Sequence, residues 1–153
     1  MEQENALLEV SEIQLVYRPK VKASERMRVN DAKEAYGVLM KSWDMDSIEI
    51  IEQFKMILLN TGNRVLGISH LSTGGRTGTL VDLKVVFGIA LKAGACSLIL
   101  AHNHPSGNLT PSEPDKRLTE QIVRGGKCLG IAILDHLIIS PEGFSSFAEM
   151  GLI

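Results

Sequence analysis

The sequence predicts an α/β fold in which a mixed β-sheet lies between layers of helices. The 153-residue chain is 44% hydrophobic and 22% charged, a composition that is ordinary for one globular domain able to bury a core without disulfides. Along the chain, segments with helically spaced apolar residues alternate with short apolar runs typical of strands. Some of these runs are paired by a turn and one is apolar throughout, which together predict a mixed sheet.

The first 29 residues are interpreted as an N-terminal extension, followed by a domain over residues 30–153. Residues 12–17 alternate in polarity and predict one edge strand, which Pro19 ends. A helix is expected directly afterwards, because Asn30 or Asp31 can cap it and apolar residues recur at helical spacing up to Trp43.

The middle of the chain predicts a hairpin, a helix and a buried strand in that order. Residues 50–60 and 64–70 read as two strands joined by a turn at 61–63. The glycine-rich loop at 72–79 lacks the GK[ST] ending of a phosphate-binding loop, so a turn or a flap beside the substrate is favoured. Residues 85–93 then predict a helix ended by Gly94, and residues 95–101 a strand that is covered on both faces and stops at His102.

The last third predicts one helix and two closing strands. Residues 110–114 supply a helix start and residues 118–123 its body, and Gly125 and Gly126 are expected to end it. Residues 129–134 and 137–139 read as strands. The two cysteines, Cys96 and Cys128, have neither metal-binding nor disulfide spacing, so both are expected to be small buried side chains.

Charge and hydropathy restrict the classes of partner. The formal net charge is −2 and the isoelectric point is about 6.1, which gives no global attraction to nucleic acid. One short basic cluster consists of Arg18, Lys20, Lys22, Arg26 and Arg28. Such runs are usually solvated surface, so nucleic acid is the weaker alternative as a partner. With no run of 18 apolar residues and no signal sequence, we expect a cytoplasmic protein that does not cross a membrane; the oligomeric state is left open.

The densest chemical pattern is AHNHPSGNLTPSEPD at residues 101–115. His102 and His104 are two residues apart at a strand end, so both imidazoles can point the same way. Asp115 follows eleven residues later and can supply a third ligand, since two histidines, a carboxylate and an open position are typical of catalytic zinc. Ser112 and Asp115 also have the spacing of a capping box at a helix start, and the two interpretations are compatible.

These residues carry a resemblance to known families. H-x-H followed by seven residues and S-x-x-D resembles the JAMM signature of MPN-domain metalloproteases, and HNHPSG with PSxxD and LDHxII is more similar to the bacterial RadC family. The resemblance covers about residues 30–150. It implies a three-layer α/β/α JAB/MPN fold like that of cytidine deaminases, and Zn²⁺ on His102, His104 and Asp115. It also implies that Ser112 steadies the oxyanion or the reacting water.

The signature also calls for an upstream glutamate, and Glu52 is the candidate. It shares a strand face with core-type residues near a strand end, where burial raises the pKa of a carboxylate and a nearby metal lowers it, as suits a general base. The competing interpretation is that Glu52 is an exposed glutamate at a strand end, as is assumed for Glu49. Glu113 and Glu120 are weaker candidates, because a helix start or a surface pair explains them.

Asp135 and His136, in the LDHxII stretch, are candidates for groups that orient the ligands, because metal-bound imidazoles usually donate their second nitrogen to another group. A turn aspartate and an ordinary core histidine are the competing interpretation. The chain also departs from the family pattern at residues 82–84, where DLK stands in place of PRE, which puts partner contacts at that helix in doubt.

The resemblance therefore implies a zinc-dependent hydrolase of amide bonds, peptide or isopeptide, with a peptide or protein substrate and a family name linked to DNA repair. That link rests on analogy and on no residue in this chain. A zinc deaminase is disfavoured because H-x-E with P-C-x-x-C is absent from the sequence. The alternative from another class is a non-catalytic nucleic-acid-associated or scaffold module with a vestigial metal pocket, which predicts weak or no metal binding.

Overall fold

The structure is a computed structural model that describes residues 11–14, 16–75 and 80–153. After a short 3₁₀ turn at Ala23–Glu25, the helices are α1 (Ala32–Ser42), α2 (Leu83–Ala93) and α3 (Glu113–Leu129). The strands are β1 (Gln53–Leu59), β2 (Val65–Thr73), β3 (Ser97–Asn103), β4 (Ala132–Ser140) and β5 (Gly143–Ser146). Among the described residues, no helix has both the length and the apolar character that a membrane span requires.

The five strands form one mixed sheet in the order β2-β1-β3-β4-β5. β1 pairs antiparallel with both β2 and β3, β3 pairs parallel with β4, and β4 pairs antiparallel with β5. The connection between the parallel strands contains α3, as a parallel crossover requires. Every residue of β3 is buried, as expected for an apolar strand in the middle of a covered sheet.

Two apolar layers cover the two faces of the sheet. One face packs against α1, and its core includes Ala35, Val38, Leu39, Ile57, Ile99 and Leu137. The other face packs against α2 and α3, and its core includes Met56, Leu58, Val86, Phe87, Leu100 and Ile122. The predicted α/β class, with a mixed sheet between helices, is confirmed.

Local signals explain where several elements begin and end. The Asp31 side chain caps α1 by accepting a hydrogen bond from the Glu34 backbone N–H at 2.7 Å. Gly94 ends α2 in the left-handed region with φ of 66°. The hairpin turn contains Asn63 with φ of 56°, and asparagine is one of the few non-glycine residues that tolerate this conformation.

The expectation that Gly125 and Gly126 end the third helix is wrong, because α3 continues to Leu129. A Cβ atom on Gly126 would overlap the backbone oxygen of Ile131, and one on Gly125 would lie 2.7 Å from the Phe87 ring. The two glycines are therefore sites of close packing inside the helix. Gly130, with φ of 69°, is the residue that ends it.

The predicted edge strand at residues 12–17 is also wrong. The described residues of that range form no strand, and Leu15 lies outside the described residues. The Tyr17 hydroxyl instead donates to the Leu66 carbonyl at 3.3 Å. The N-terminal segment pairs with the hairpin later in the chain, where Arg28 forms an antiparallel β-bridge with Arg64, the residue before β2.

At the C-terminus, the two predicted closing strands form one strand, β4, and the short strand β5 was not predicted. β4 contains one extra residue relative to β3, because Leu98 pairs with Ile133 and Ile99 with Asp135. The cysteine expectation fails as well, since Cys96 is half-buried and Cys128 is exposed on α3.

Candidate metal centre

The two histidines of the HNH segment lie together at the end of the central strand. His102 is the penultimate residue of β3 and is 1% exposed, and His104 follows directly after the strand. Their Nε2 atoms are 2.9 Å apart. The Nδ1 atom of His104 lies 2.6 Å from the Asn108 carbonyl, which only accepts, so Nδ1 carries a hydrogen and the neutral ring presents a lone pair at Nε2.

Asp115 reaches the same point from the first turn of α3. Ser112 caps this helix: its hydroxyl accepts from the Asp115 backbone N–H at 3.1 Å, and its own N–H donates to Asp115 Oδ2 at 2.9 Å. Asp115 Oδ2 is 3.2 Å from His104 Nε2, and Oδ1 is 3.4 Å from His102 Nε2. The carboxylate thus completes the capping box and faces both histidines at the same time.

Glu52 lies immediately before β1, on the same face of the sheet as His102. Its side chain is directed inward, with the residue 7% exposed, and Oε1 is 3.8 Å from His102 Nε2. The backbone is held by a pair of hydrogen bonds, because Glu52 N–H donates to the Gly75 carbonyl at 3.3 Å and Gly74 N–H donates to the Glu52 carbonyl at 2.9 Å. The strand itself begins one residue later than Glu52, at Gln53.

The donor atoms of these four residues fit a metal ion. One ligand atom from each of Glu52, His102, His104 and Asp115 lies within 4.8 Å of every other. An ion with nitrogen and oxygen ligands at about 2.0–2.2 Å separates tetrahedral ligand atoms by roughly 3.4 Å. The distances of 2.9, 3.2 and 3.4 Å among the two imidazoles and the aspartate are close to that value. Two imidazole lone pairs at 2.9 Å repel unless a proton or a cation lies between them.

The electrostatics of the cluster separate the two carboxylates. Burial acts to raise the pKa of Asp115, but the neighbouring imidazoles of His102 and His104 and the hydrogen bond from Ser112 N–H hold that pKa well below its ordinary value. Burial raises the pKa of Glu52; the imidazoles oppose that shift and Asp115 adds to it. The hydrogen bond to Asp115 raises the pKa of His104 against burial. Asp115 therefore stays ionised, whereas Glu52 holds a proton more readily than an ordinary glutamate.

The LDH stretch divides between the two faces of the sheet. His136 is fully buried, and its Nε2 lies 2.7 Å from His102 Nδ1. Asp135 points to the opposite face, because neighbouring strand residues alternate, and its carboxylate accepts from Ser146 Oγ at 2.6 Å and Ala148 N–H at 3.0 Å. Asp135 is therefore removed as a residue that orients the ligands, while His136 contacts one of them directly.

Two residues near the cluster were not identified from the sequence. The Asn103 amide donates to the carbonyls of Ile48 and Ile51 at 2.7 and 2.9 Å, and its Oδ1 accepts from Gln53 N–H at 2.8 Å. This fully buried side chain fastens the segment that leads into Glu52. An asparagine inside an apolar strand was the available signal, since a buried amide must find partners. The other residue, Thr119, carried no signal beyond its place one turn after Asp115.

The other glutamates considered have surface roles. Glu113 pairs with Lys116 at 3.1 Å and Glu120 with Arg124 at 3.8 Å, and Glu49 is exposed. His70 lies 2.8 Å from Thr73 Oγ1 in an exposed contact.

Comparison with known proteins agrees with this fold. A family model described as a RadC-like JAB domain matches residues 29–152. A UPF0758 protein of Flavobacterium johnsoniae is 46% identical over 101 residues, which cover 66% of this chain and 44% of that protein. A UPF0758 protein of Salinibacter ruber is 40% identical over 132 residues, which cover 84% of this chain and 54% of that one. The chain thus spans about half the length of the curated relatives it matches, and it belongs to the family of RadC-like JAB domains.

Proposed function

We propose that this domain is a zinc-dependent hydrolase of amide bonds, in peptide or isopeptide linkage. The observation that carries the proposal is the convergence of two imidazoles and two carboxylates, with ligand atoms within 4.8 Å of one another, at the end of the central strand. Two histidines, one carboxylate and an open position are the composition typical of catalytic zinc.

His102, His104 and Asp115 would hold the ion, which when bound lowers the pKa of water and polarises a carbonyl group. Both imidazoles are oriented through their Nδ1 atoms, so their Nε2 atoms face Asp115. Asp115 keeps its negative charge because its pKa is held low. These three residues therefore supply one charged and two neutral donors without reorganisation.

Glu52 is the proposed general base and acid. Burial raises the pKa of its carboxyl group, which brings it closer to the pH at which the reaction runs. In that role the carboxylate takes a proton from the attacking water and returns it to the nitrogen of the leaving amine. The paired hydrogen bonds to Gly74 and Gly75 anchor the Glu52 backbone, and its Oε1 lies 3.8 Å from His102 Nε2.

Ser112 is the proposed donor to the oxyanion. Its hydroxyl oxygen accepts the Asp115 N–H, which leaves the hydroxyl hydrogen able to donate elsewhere. Removal of such a donor from other hydrolases costs on the order of 3 kcal/mol in the reaction barrier. We keep the cytoplasm as the expected compartment and a peptide or protein as the expected substrate. A role in DNA repair remains an expectation attached to the family name.

Metal content is the first test. Elemental analysis of the purified protein is expected to give about one zinc per chain, and Asp115→Ala is expected to lose it. Glu113→Ala is the matched control, because it removes an exposed carboxylate from the same helical turn and should keep the metal. A wild-type protein that takes up no zinc on reconstitution refutes the proposal in favour of a module with a vestigial pocket.

Turnover is the second test, with a random peptide library and a set of lysine isopeptides as substrates and mass spectrometry as the readout. Glu52→Gln should keep zinc and lose cleavage, whereas Glu49→Gln, which changes an exposed glutamate nearby, should cleave like wild type. Zinc-loaded wild type that cleaves neither class, or Glu52→Gln that cleaves at the wild-type rate, contradicts the proposed reaction.

A further inference from the structure

A chain of three hydrogen bonds runs behind His102 and ends at the backbone of Asp115. The last of these bonds is made by Thr119, which lies one helical turn after Asp115. The Thr119 Oγ1 atom lies 2.7 Å from the Asp115 carbonyl oxygen. A carbonyl oxygen only accepts, so the single hydroxyl hydrogen of Thr119 must point at it. The remaining contact of that hydroxyl can therefore only be one in which its oxygen accepts.

The contact between Thr119 and His136 determines which ring nitrogen carries the hydrogen, first in His136 and then in His102. Thr119 Oγ1 lies 2.6 Å from His136 Nδ1, so Nδ1 carries the hydrogen and donates it. The neutral ring then has a lone pair at Nε2, which faces His102 Nδ1 at 2.7 Å. His102 must donate from Nδ1, and its own lone pair is left at Nε2, on the side of His104 and Asp115.

The surroundings of His136 favour a neutral and immobile ring. The side chain is fully buried; the Phe147 ring stacks on it with centroids 4.5 Å apart, and the Phe54 ring lies 5.2 Å away. Apolar contacts of this kind disfavour a charged imidazolium. A ring flip would place carbon atoms where both hydrogen bonds are made, so the ring orientation is tied to the two partners.

We propose that Thr119 and His136 are positioning residues that set the tautomer of His102, so that its Nε2 presents a lone pair to the metal. The inference rests on the proposed zinc site and goes further by assigning how one ligand is prepared. The series of hydrogen bonds ends on the carbonyl of Asp115. The turn of α3 that supplies one ligand therefore also sets which nitrogen carries the hydrogen in His102, the ligand on β3. The order of elements along the chain gives no hint of this dependence.

Paired substitutions at Thr119 test the proposal. Thr119→Val keeps the shape but removes the hydroxyl, and Thr119→Ser restores it. Competition of zinc against a chromophoric chelator should show a loss of about 10–100-fold in affinity for Thr119→Val, the range found when groups behind metal ligands are removed, with recovery in Thr119→Ser. Ser146→Ala is the control, because it removes an equally buried hydroxyl that bonds Asp135 on the other face of the sheet.

The tautomer itself can be read without metal. Two-bond ¹H–¹⁵N correlations of the metal-free protein, with the rings in neutral form, should show the His102 hydrogen on Nδ1 in wild type and in Thr119→Ser. In Thr119→Val a substantial fraction should move to Nε2. A structural role alone would lower stability in this variant and leave the tautomer unchanged.

The outcomes distinguish the inference from the function on which it rests. If Thr119→Val binds zinc as tightly as wild type and keeps the hydrogen on His102 Nδ1, the inference is wrong while the zinc hydrolase stands. If wild type binds no zinc, the proposed function fails. The inference itself is overturned by a wild-type spectrum that shows the His102 hydrogen on Nε2.

Discussion

Substitution of Gly126 by alanine is expected to destabilise the protein, although alanine is normally the better helix former. In an exposed helix interior, Gly→Ala contributes about 1 kcal/mol of stability. At Gly126 the new Cβ would lie closer than 3.0 Å to the backbone oxygen of Ile131, and real Cβ atoms essentially never approach so closely. The Ile131 N–H also donates to the Gly126 carbonyl at 2.9 Å, so the two backbones cannot separate without losing that bond.

The magnitude follows from these opposing contributions. Overpacking of a core typically costs about 1–3 kcal/mol, and a backbone obstacle belongs at the upper end. After the helix-propensity gain we expect a net loss of about 2 kcal/mol. For a chain of this length that corresponds to a fall in Tm of roughly 4–8 °C.

Gly37→Ala supplies the matched comparison, because Gly37 is an exposed residue inside α1 and a Cβ there meets nothing within 4 Å. This variant should raise Tm by roughly 2–4 °C. Both are measured by calorimetry and urea unfolding of the metal-free protein. If Gly126→Ala raises Tm, as Gly37→Ala is expected to do, the close-packing explanation for Gly126 is refuted.

Three further expectations concern the site. Zinc affinity should weaken about tenfold per pH unit below the raised pKa of His104, because that ring must lose its proton to bind the ion. Asp115 stays ionised over this range because its pKa is held low. A zinc affinity that is independent of pH would contradict the prediction. Asn103→Ala should cost about 2–4 kcal/mol in urea unfolding, because it removes three hydrogen bonds and leaves the half-buried Gln53 N–H without its acceptor. A cost under about 1 kcal/mol would argue against the anchoring role. Ser112→Ala should cost about 1 kcal/mol through loss of the cap, with Ser112→Thr close to wild type, and equal stability of the two variants would count against it.

The layers of the fold could be predicted because hydrophobic periodicity is a local property of the sequence. β3 contains the uninterrupted apolar run 98–101, and α1 has both a capping aspartate and a helical pattern. Gly125 and Gly126 were misassigned because a glycine needed for close packing has the same local sequence as a glycine that ends a helix. Only the position of Ile131 against the helix distinguishes the two cases.

The metal-ligand candidates could be predicted because they depend on short spacings at a strand end and a helix start. Asp135 could not be placed, since its face depends on the extra residue in β4 and on the register with β3. Thr119 was missed because its partner His136 is 17 residues away, and nothing in the helix sequence records that contact. Residues that act through long-range hydrogen bonds become visible only with the coordinates.

Because Asp115 both caps α3 and faces the two imidazoles, binding of the proposed ion would be coupled to the local order of that helix. The same carboxylate accepts Ser112 N–H and faces the two imidazoles, so an ion seated there reinforces the opening turn of α3. A ligand that binds the folded chain alone raises its stability in proportion to the logarithm of ligand concentration over Kd. Saturation with zinc should thus slow amide hydrogen exchange in that turn, and depletion of the ion should make the same turn the first part of α3 to fray.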